Sequence, residues 1–211
     1  FLDPVIGEAV EAGRRGLLAA GLHERRGRVA DVHALYREML VVLGTDLGPL
    51  LRQALTDAGG QPFSVAGEWA RRVAGRPAVY EGLLQLLTVA PMLRRSRSRL
   101  ETAVQRIRVA RREVRMLLGE DGVLLLPTLG TLAPPHGKMN RLTLRPGFNP
   151  VVAPLTFCNY LDLPAVTVPA RRFRRPGSGL VPGVMLVSAP GAEGLLLDVA
   201  AALENTLGVQ E

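Results

Sequence analysis

Apolar residues recur at helical spacing through the first half of the chain and gather into short unbroken runs in the second. Val5, Ile6, Ala9, Val10, Leu17 and Leu18 predict an amphipathic helix that opens at Asp3-Pro4 and closes near Gly21. An aspartate can take up the free N–H groups of a helix start, and proline fits a first turn that needs no donor. Val32, Leu35, Tyr36, Met39 and Leu43 predict a second helix over Val29–Leu43, and Leu47–Leu55 a shorter third. Ser64-Val65-Ala66-Gly67-Glu68 has the outline of a capping box, with the acid one residue late. Leu100, Val104, Ile107, Val114 and Leu118 keep one stripe in phase along Leu93–Leu118, which predicts a helix of about 40 Å that Gly119 ends.

After Gly119 the pattern changes. Val123–Leu126, Ala165–Val168 and Val184–Val187 are apolar runs without clean alternation, as expected of strands covered on both faces. A last helix is predicted over Gly194–Leu207, with Leu195, Val199, Ala202, Leu203 and Leu207 inward. Five of the 16 prolines precede Gly119 and eleven follow it, so the chain divides into a mainly helical part, 1–118, and a strand-and-helix part, 119–211. Helices flanking buried strands predict an α/β layer architecture.

With 211 residues, 47% of them apolar, the chain can bury a sizeable core, which excludes a disordered protein. Cys158 is the one cysteine, so neither an internal disulfide nor a Cys-rich zinc scaffold is possible. No apolar stretch is long enough to span a bilayer, and Phe1-Leu2-Asp3-Pro4 has no methionine and no leader pattern. The start reads as the interior of a longer gene product, and the expected location is the cytoplasm.

The net charge of +7 is uneven: residues 71–118 carry 12 arginines against Glu81, Glu101 and Glu113, a local +9. Such a stripe suits a solvated helix face, nucleic acid, anionic lipid or an acidic partner. Residues 94–115 contain no aromatic on which a base could stack, which makes nucleic acid the less expected partner.

Candidate chemistry is sparse. None of Ser64, Ser96, Ser98, Ser178 and Ser188 lies in a nucleophile elbow or an S-x-x-K arrangement. Ser178, between Gly177 and Gly179, reads as part of a turn, and Cys158 as a packed small hydrophobe. His23, His33 and His136 lack the spacing of paired metal ligands, and no phosphate-cradling glycine motif occurs. No metal or organic cofactor is expected, and the residues alone do not describe a self-contained enzyme.

An ordered series of short motifs fills the second part. It comprises Asp121-Gly122-Val123-Leu124-Leu125-Leu126-Pro127-Thr128, Ala133-Pro134-Pro135, Thr156-Phe157-Cys158-Asn159-Tyr160-Leu161-Asp162-Leu163-Pro164-Ala165-Val166-Thr167-Val168-Pro169, Gly179-Leu180-Val181-Pro182-Gly183-Val184-Met185-Leu186-Val187 and the helix after Leu195. In this order and spacing they resemble the C-terminal part of amidase-signature hydrolases, particularly the fatty-acid-amide-hydrolase-like branch. The likeness covers about ninety residues and is looser over 1–118. Two positions depart from the family pattern: Asp162 stands where the family has glycine, and the family's Pro-x-Gly segment appears as Val181-Pro182-Gly183. Aspartate tolerates a left-handed backbone better than most residues, so the turn is expected to survive.

The resemblance implies the C-terminal part of an α/β/α amidase-signature fold, a mixed sheet covered by helices. It also implies carboxamide hydrolysis by a Ser–Ser–Lys triad. The family's lysine and Gly/Ser-rich tract match nothing in 1–211, and Lys138 stands in a different context, so no catalytic residue is assigned. The chain is expected to be the C-terminal portion of an amidase, inactive alone, whose partner is the N-terminal catalytic half and whose substrate is a small amide. Thr128 and Asn159 would offer hydrogen bonds at the rim of the acyl cleft, with Leu129, Leu132 and Phe157 as apolar wall. The alternatives are a binding module using the arginines of 94–115, and a fragment of one subunit of an amidotransferase. The fragment reading is also compatible with a homo-oligomer. Leu83, Leu84, Leu86, Leu87 and Val89, followed by Arg94, Arg95, Arg97 and Arg99, would form a membrane-facing cap as in some relatives, or pack as core under the long helix.

Overall fold

The computed structural model describes residues 2–25, 27, 31–93, 95–135 and 148–208. Asp3 accepts a hydrogen bond from the Val5 N–H at 3.2 Å, and helix α1 runs over Pro4–Ala19. Asp31 accepts from the N–H groups of His33 and Ala34 and starts α2, Val32–Val42, so the expected start at Val29 falls outside the described residues. A π-helical turn, Leu43–Leu47, leads into α3, Gly48–Gly59. Ser64 caps α4, Val65–Val73, by accepting from the Gly67 N–H at 3.1 Å. Helix α5 follows over Glu81–Leu93. Ser96 accepts from the Arg99 N–H at 3.3 Å and starts α6, Arg97–Leu118, a few residues later than the apolar pattern suggests. Gly119 ends it with φ +61°.

The predicted strands form as β1, Val123–Pro127, β2, Ala165–Pro169, and β3, Gly183–Ser188. Between β1 and β2 lies α7, Phe148–Leu161, which is not among the elements the pattern predicts. A 3-10 turn, Arg171–Phe173, follows β2, and α8, Glu193–Leu207, closes the described chain. The sheet order is β1-β3-β2, and both pairs are antiparallel, with Leu186 opposite Leu125 on one side and Val166 on the other.

Alternation along β3 sorts the core into two layers. Val184 and Leu186 pack with Ala9 and Leu17 of α1 and with Leu196, Val199, Leu203 and Leu207 of α8. Met185 and Val187 pack with Leu35 and Met39 of α2, Ile107 and Val114 of α6, and Phe157 and Leu161 of α7. Helices thus cover both faces of the central strand, whose Val184–Val187 run is apolar and buried, which is why β3 shows no polar alternation. Strand β2, at the sheet edge, leaves Ala165 and Thr167 exposed, so the cover expected on both of its faces is missing from one. Helix α1 packs on α8 and the sheet, while α3 and α5 pack on each other and on the π-helical turn, and α4 packs on α5.

Glu68 explains the displaced capping box. Its buried carboxylate accepts from the N–H groups of Ala78 and Val79 at 2.7 and 2.8 Å, pinning the α4–α5 turn rather than its own helix start. Those two backbone donors hold its pKa below the ordinary glutamate value against the opposing effect of burial.

Candidate functional site

Register brings two threonines together across a glycine at one end of the sheet. Pro127 pairs with Val184, so Thr128 comes beside Gly183, and its N–H donates to the Gly183 carbonyl at 3.1 Å. On the far side of β3, Pro169 pairs with Gly183 and Thr167 with Met185. The hydroxyls of Thr128 and Thr167 lie 3.3 Å apart, and either can donate. Gly183 leaves this space: a Cβ there would lie 2.7 Å from Thr128 Oγ1 and 2.9 Å from Thr167 Cγ2. Thr128 is half-buried and Thr167 exposed, so the pair offers one hydroxyl hydrogen and spare lone pairs to an incoming group.

The loop after Thr128 is tied at both ends. Leu129 is half-buried and Leu132 buried, and the Gly130 carbonyl between them accepts the Asp3 N–H at 2.9 Å. Thr128, Leu129 and Leu132 therefore share one anchored segment. Phe157 and Asn159 belong to α7. Phe157 is fully buried edge-on to Tyr160, with ring centroids 6.2 Å apart, whereas Asn159 is exposed. Among the described residues neither shares a hydrogen bond or ring contact with the Thr128 loop. Thr167 and Gly183 were not singled out from the sequence as site residues, because their juxtaposition with Thr128 depends on strand order and register.

Four of the five serines have structural partners. Ser64 and Ser96 cap helices, Ser178 accepts from the Leu180 N–H in its turn, and buried Ser188 donates to the Ala189 carbonyl. Burial pushes the Cys158 thiol up to about 11, and its sulfur lies 3.9 Å from Met185 Sδ, the opposite of an activated thiolate. Among the described residues no group of three His, Cys, Asp or Glu side chains could hold a metal ion. His136 and Lys138 lie outside the described residues.

Much of the arginine stripe is engaged within the chain. Arg99 and Arg106 converge on the buried Glu38 carboxylate at 2.5 and 2.7 Å, and Arg111 and Arg115 reach Asp162 at 3.7 and 3.1 Å. Arg97 pairs with Glu101, Arg72 with Glu81, and Arg95 donates to the Met92 carbonyl. Three open grooves of about 780, 620 and 480 Å³ lie between α2 and α6, along the arginines of α6, and between α1 and Phe173. None is lined by Thr128, Leu129, Leu132, Phe157 or Asn159. Among the described residues no helix is long and apolar enough to cross a membrane.

No protein-family profile matches the chain, and no curated protein matches it in sequence. Solved structures do. The chain is similar to 6-aminohexanoate cyclic dimer hydrolase with a TM-score of 0.71 at 21% identity, covering 99% of this chain and 42% of that one. Against the structure of a vestigial protein complex at the origin of an s-triazine catabolic enzyme, the TM-score is 0.64 at 20% identity, covering 100% and 41%. Against the glutamyl-tRNA(Gln) amidotransferase component solved from Thermotoga maritima it is 0.61 at 18% identity, covering 100% and 40%. The chain thus spans about two fifths of each of these structures. Its helices and antiparallel sheet have the α/β fold of a C-terminal part of the amidase-signature architecture.

Proposed function

We propose that this chain is the C-terminal portion of an amidase-signature enzyme that hydrolyses a carboxamide C–N bond, most akin to the fatty-acid-amide-hydrolase-like branch. The catalytic lysine and the two serines would belong to the preceding portion of the same protein. There the lysine would take a proton through the bridging serine, and the nucleophilic serine would add to the amide carbon. Backbone N–H groups would hold the oxyanion, the amine would leave with the proton, and water would release the acyl group as a carboxylate. The chain's own contribution is scaffold and cleft rim. The Thr128 loop and α7 would border the acyl group, with hydrogen bonds from Thr128 and Asn159 and apolar support from Leu129, Leu132 and Phe157.

The observation that supports this reading is the structural likeness over 99% of the chain to 42% of 6-aminohexanoate cyclic dimer hydrolase. Asp162 adds support. It has φ +56° at the position where the resembled family has glycine, so the turn keeps the backbone that glycine would permit. A serine-directed fluorophosphonate applied to the full gene product tests the reading, with the labelled peptide identified by mass spectrometry. The expected label lies on a serine outside residues 1–211. Labelling of Ser64, Ser96, Ser98, Ser178 or Ser188, or no labelling at all, contradicts it.

The likeness to an amidotransferase component supports a second reading, in which the parent acts within a larger assembly. Companion proteins recovered with the tagged gene product would favour that reading over a free-standing hydrolase.

A further inference from the structure

We propose that the β2–β3 hairpin binds an anion and gives the amide site a preference for substrates that carry a carboxylate; the inference rests on the amide-hydrolase reading of that site. Residues 171–175 hold four arginines, and no acid occurs between Asp162 and Glu193. The hairpin is fixed rather than dangling. The Ala170 N–H donates to the Pro182 carbonyl at 2.9 Å, the Arg175 N–H donates to Leu180 at 2.8 Å, and half-buried Phe173 packs into the α1–α8 layer. With Phe173 as the anchor, Arg171, Arg172 and Arg174 are left exposed.

Counter-charge is scarce. Arg175 reaches Asp3 at 3.7 Å, while Arg171, Arg172 and Arg174 form no ion pair among the described residues. Glu8 and Glu11 line the groove beside Phe173, on the α1 side of the sheet. Glu11 is already held by Arg14 at 2.9 Å and Arg15 at 3.8 Å. The opposite side carries the threonines, since Thr167 pairs with Met185 of the α2–α6–α7 layer. Arg171 follows Thr167 by four residues, at most about 13 Å of extended chain. A ligand amide at the threonine pair therefore leaves a carboxylate several bonds away within reach of guanidinium groups, whose planar donors suit a carboxylate.

Isothermal titration of the 211-residue chain tests this. The probes are N-acetyl-6-aminohexanoate, its methyl ester, and hexanoate, which has the carboxylate without the amide. The amide acid should bind at least about fivefold more tightly than the ester, and Arg171→Gln/Arg172→Gln/Arg174→Gln should remove that difference. Circular dichroism of the triple variant should match the parent, because the three side chains are exposed. Equal binding of acid and ester, unchanged binding in the triple variant, or no binding of any probe overturns the proposal. Hexanoate binding as tightly as the amide acid, with loss in the triple variant, upholds the anion site and counts against the amide reading.

Discussion

Arg115 holds Asp162 twice, reaching its carboxylate at 3.1 Å and its carbonyl oxygen at 3.2 Å. Asp162 has φ +56° and is the one non-glycine residue with positive φ among those described. The last turns of α6 therefore clamp the turn between α7 and β2, where the chain enters the sheet edge bearing Thr167. Asp162→Gly relieves the backbone and loses the ion pair, so its cost should stay within about 1 kcal/mol. Asp162→Ala keeps the strain and loses the pair, and should cost about 1–2 kcal/mol. Urea denaturation of the two variants checks the order, and an alanine variant as stable as the glycine one contradicts it.

Glu38 joins α2 to α6 through Arg99 and Arg106. Burial pushes its carboxyl up, but hydrogen bonds and charge from the two guanidiniums outweigh that and leave its pKa below the ordinary glutamate value. Its stabilising contribution is complete above the unfolded glutamate range and is lost as pH falls through the lowered folded value. Glu38→Gln should flatten the acid limb of the stability profile, and Glu38→Ala should cost about 2 kcal/mol near neutrality. Thermal melts from about pH 3 to 7 check this, and identical acid slopes in parent and Gln variant contradict it.

Gly183→Ala places a methyl group against both threonines of the sheet end. The expected cost is about 1–3 kcal/mol, partly relieved when Thr128→Ala is combined with it. A double-mutant cycle by chemical denaturation measures the coupling, and strictly additive costs would show that the two positions do not meet.

Leu84, Leu87 and Ala90 of α5 are buried, Leu83, Leu86 and Val89 half-buried, while Arg97 and Arg99 are paired to glutamates. Arg94 lies outside the described residues. The apolar face expected of a membrane cap is thus largely spent on packing, and flotation with anionic liposomes should leave the chain unbound. Flotation that is lost in Arg95→Gln/Arg97→Gln/Arg99→Gln would restore the membrane surface.

Local chemistry made much of the fold legible. Asp3, Ser64 and Gly119 mark helix ends because capping depends on a few adjacent residues, whereas the Ser96 cap lies inside the Leu93–Leu118 stripe and is hidden by it. Strands β1, β2 and β3 stand out as apolar runs between turn residues. Helix α7 was hidden. Pro150 and Pro154 interrupt its sequence signal, and Ala153, Phe157, Cys158, Tyr160 and Leu161 are buried without a clean stripe. The threonine pair was only half visible. Thr128 belongs to a motif, but its meeting with Thr167 over Gly183 depends on strand order and register, which local pattern does not specify. Glu68 likewise could not be matched to Ala78 and Val79, ten and eleven residues on, without the turn that carries them.

Amide turnover by the full gene product, set beside that of residues 1–211, bears most directly on the proposed function. Amine release from a panel of carboxamides should be measurable for the full product, abolished by a serine-directed inhibitor, and at background for the 211-residue chain. Turnover by the 211-residue chain that the inhibitor abolishes, or a full product that hydrolyses no amide, would contradict the assignment of a C-terminal scaffold to an amidase.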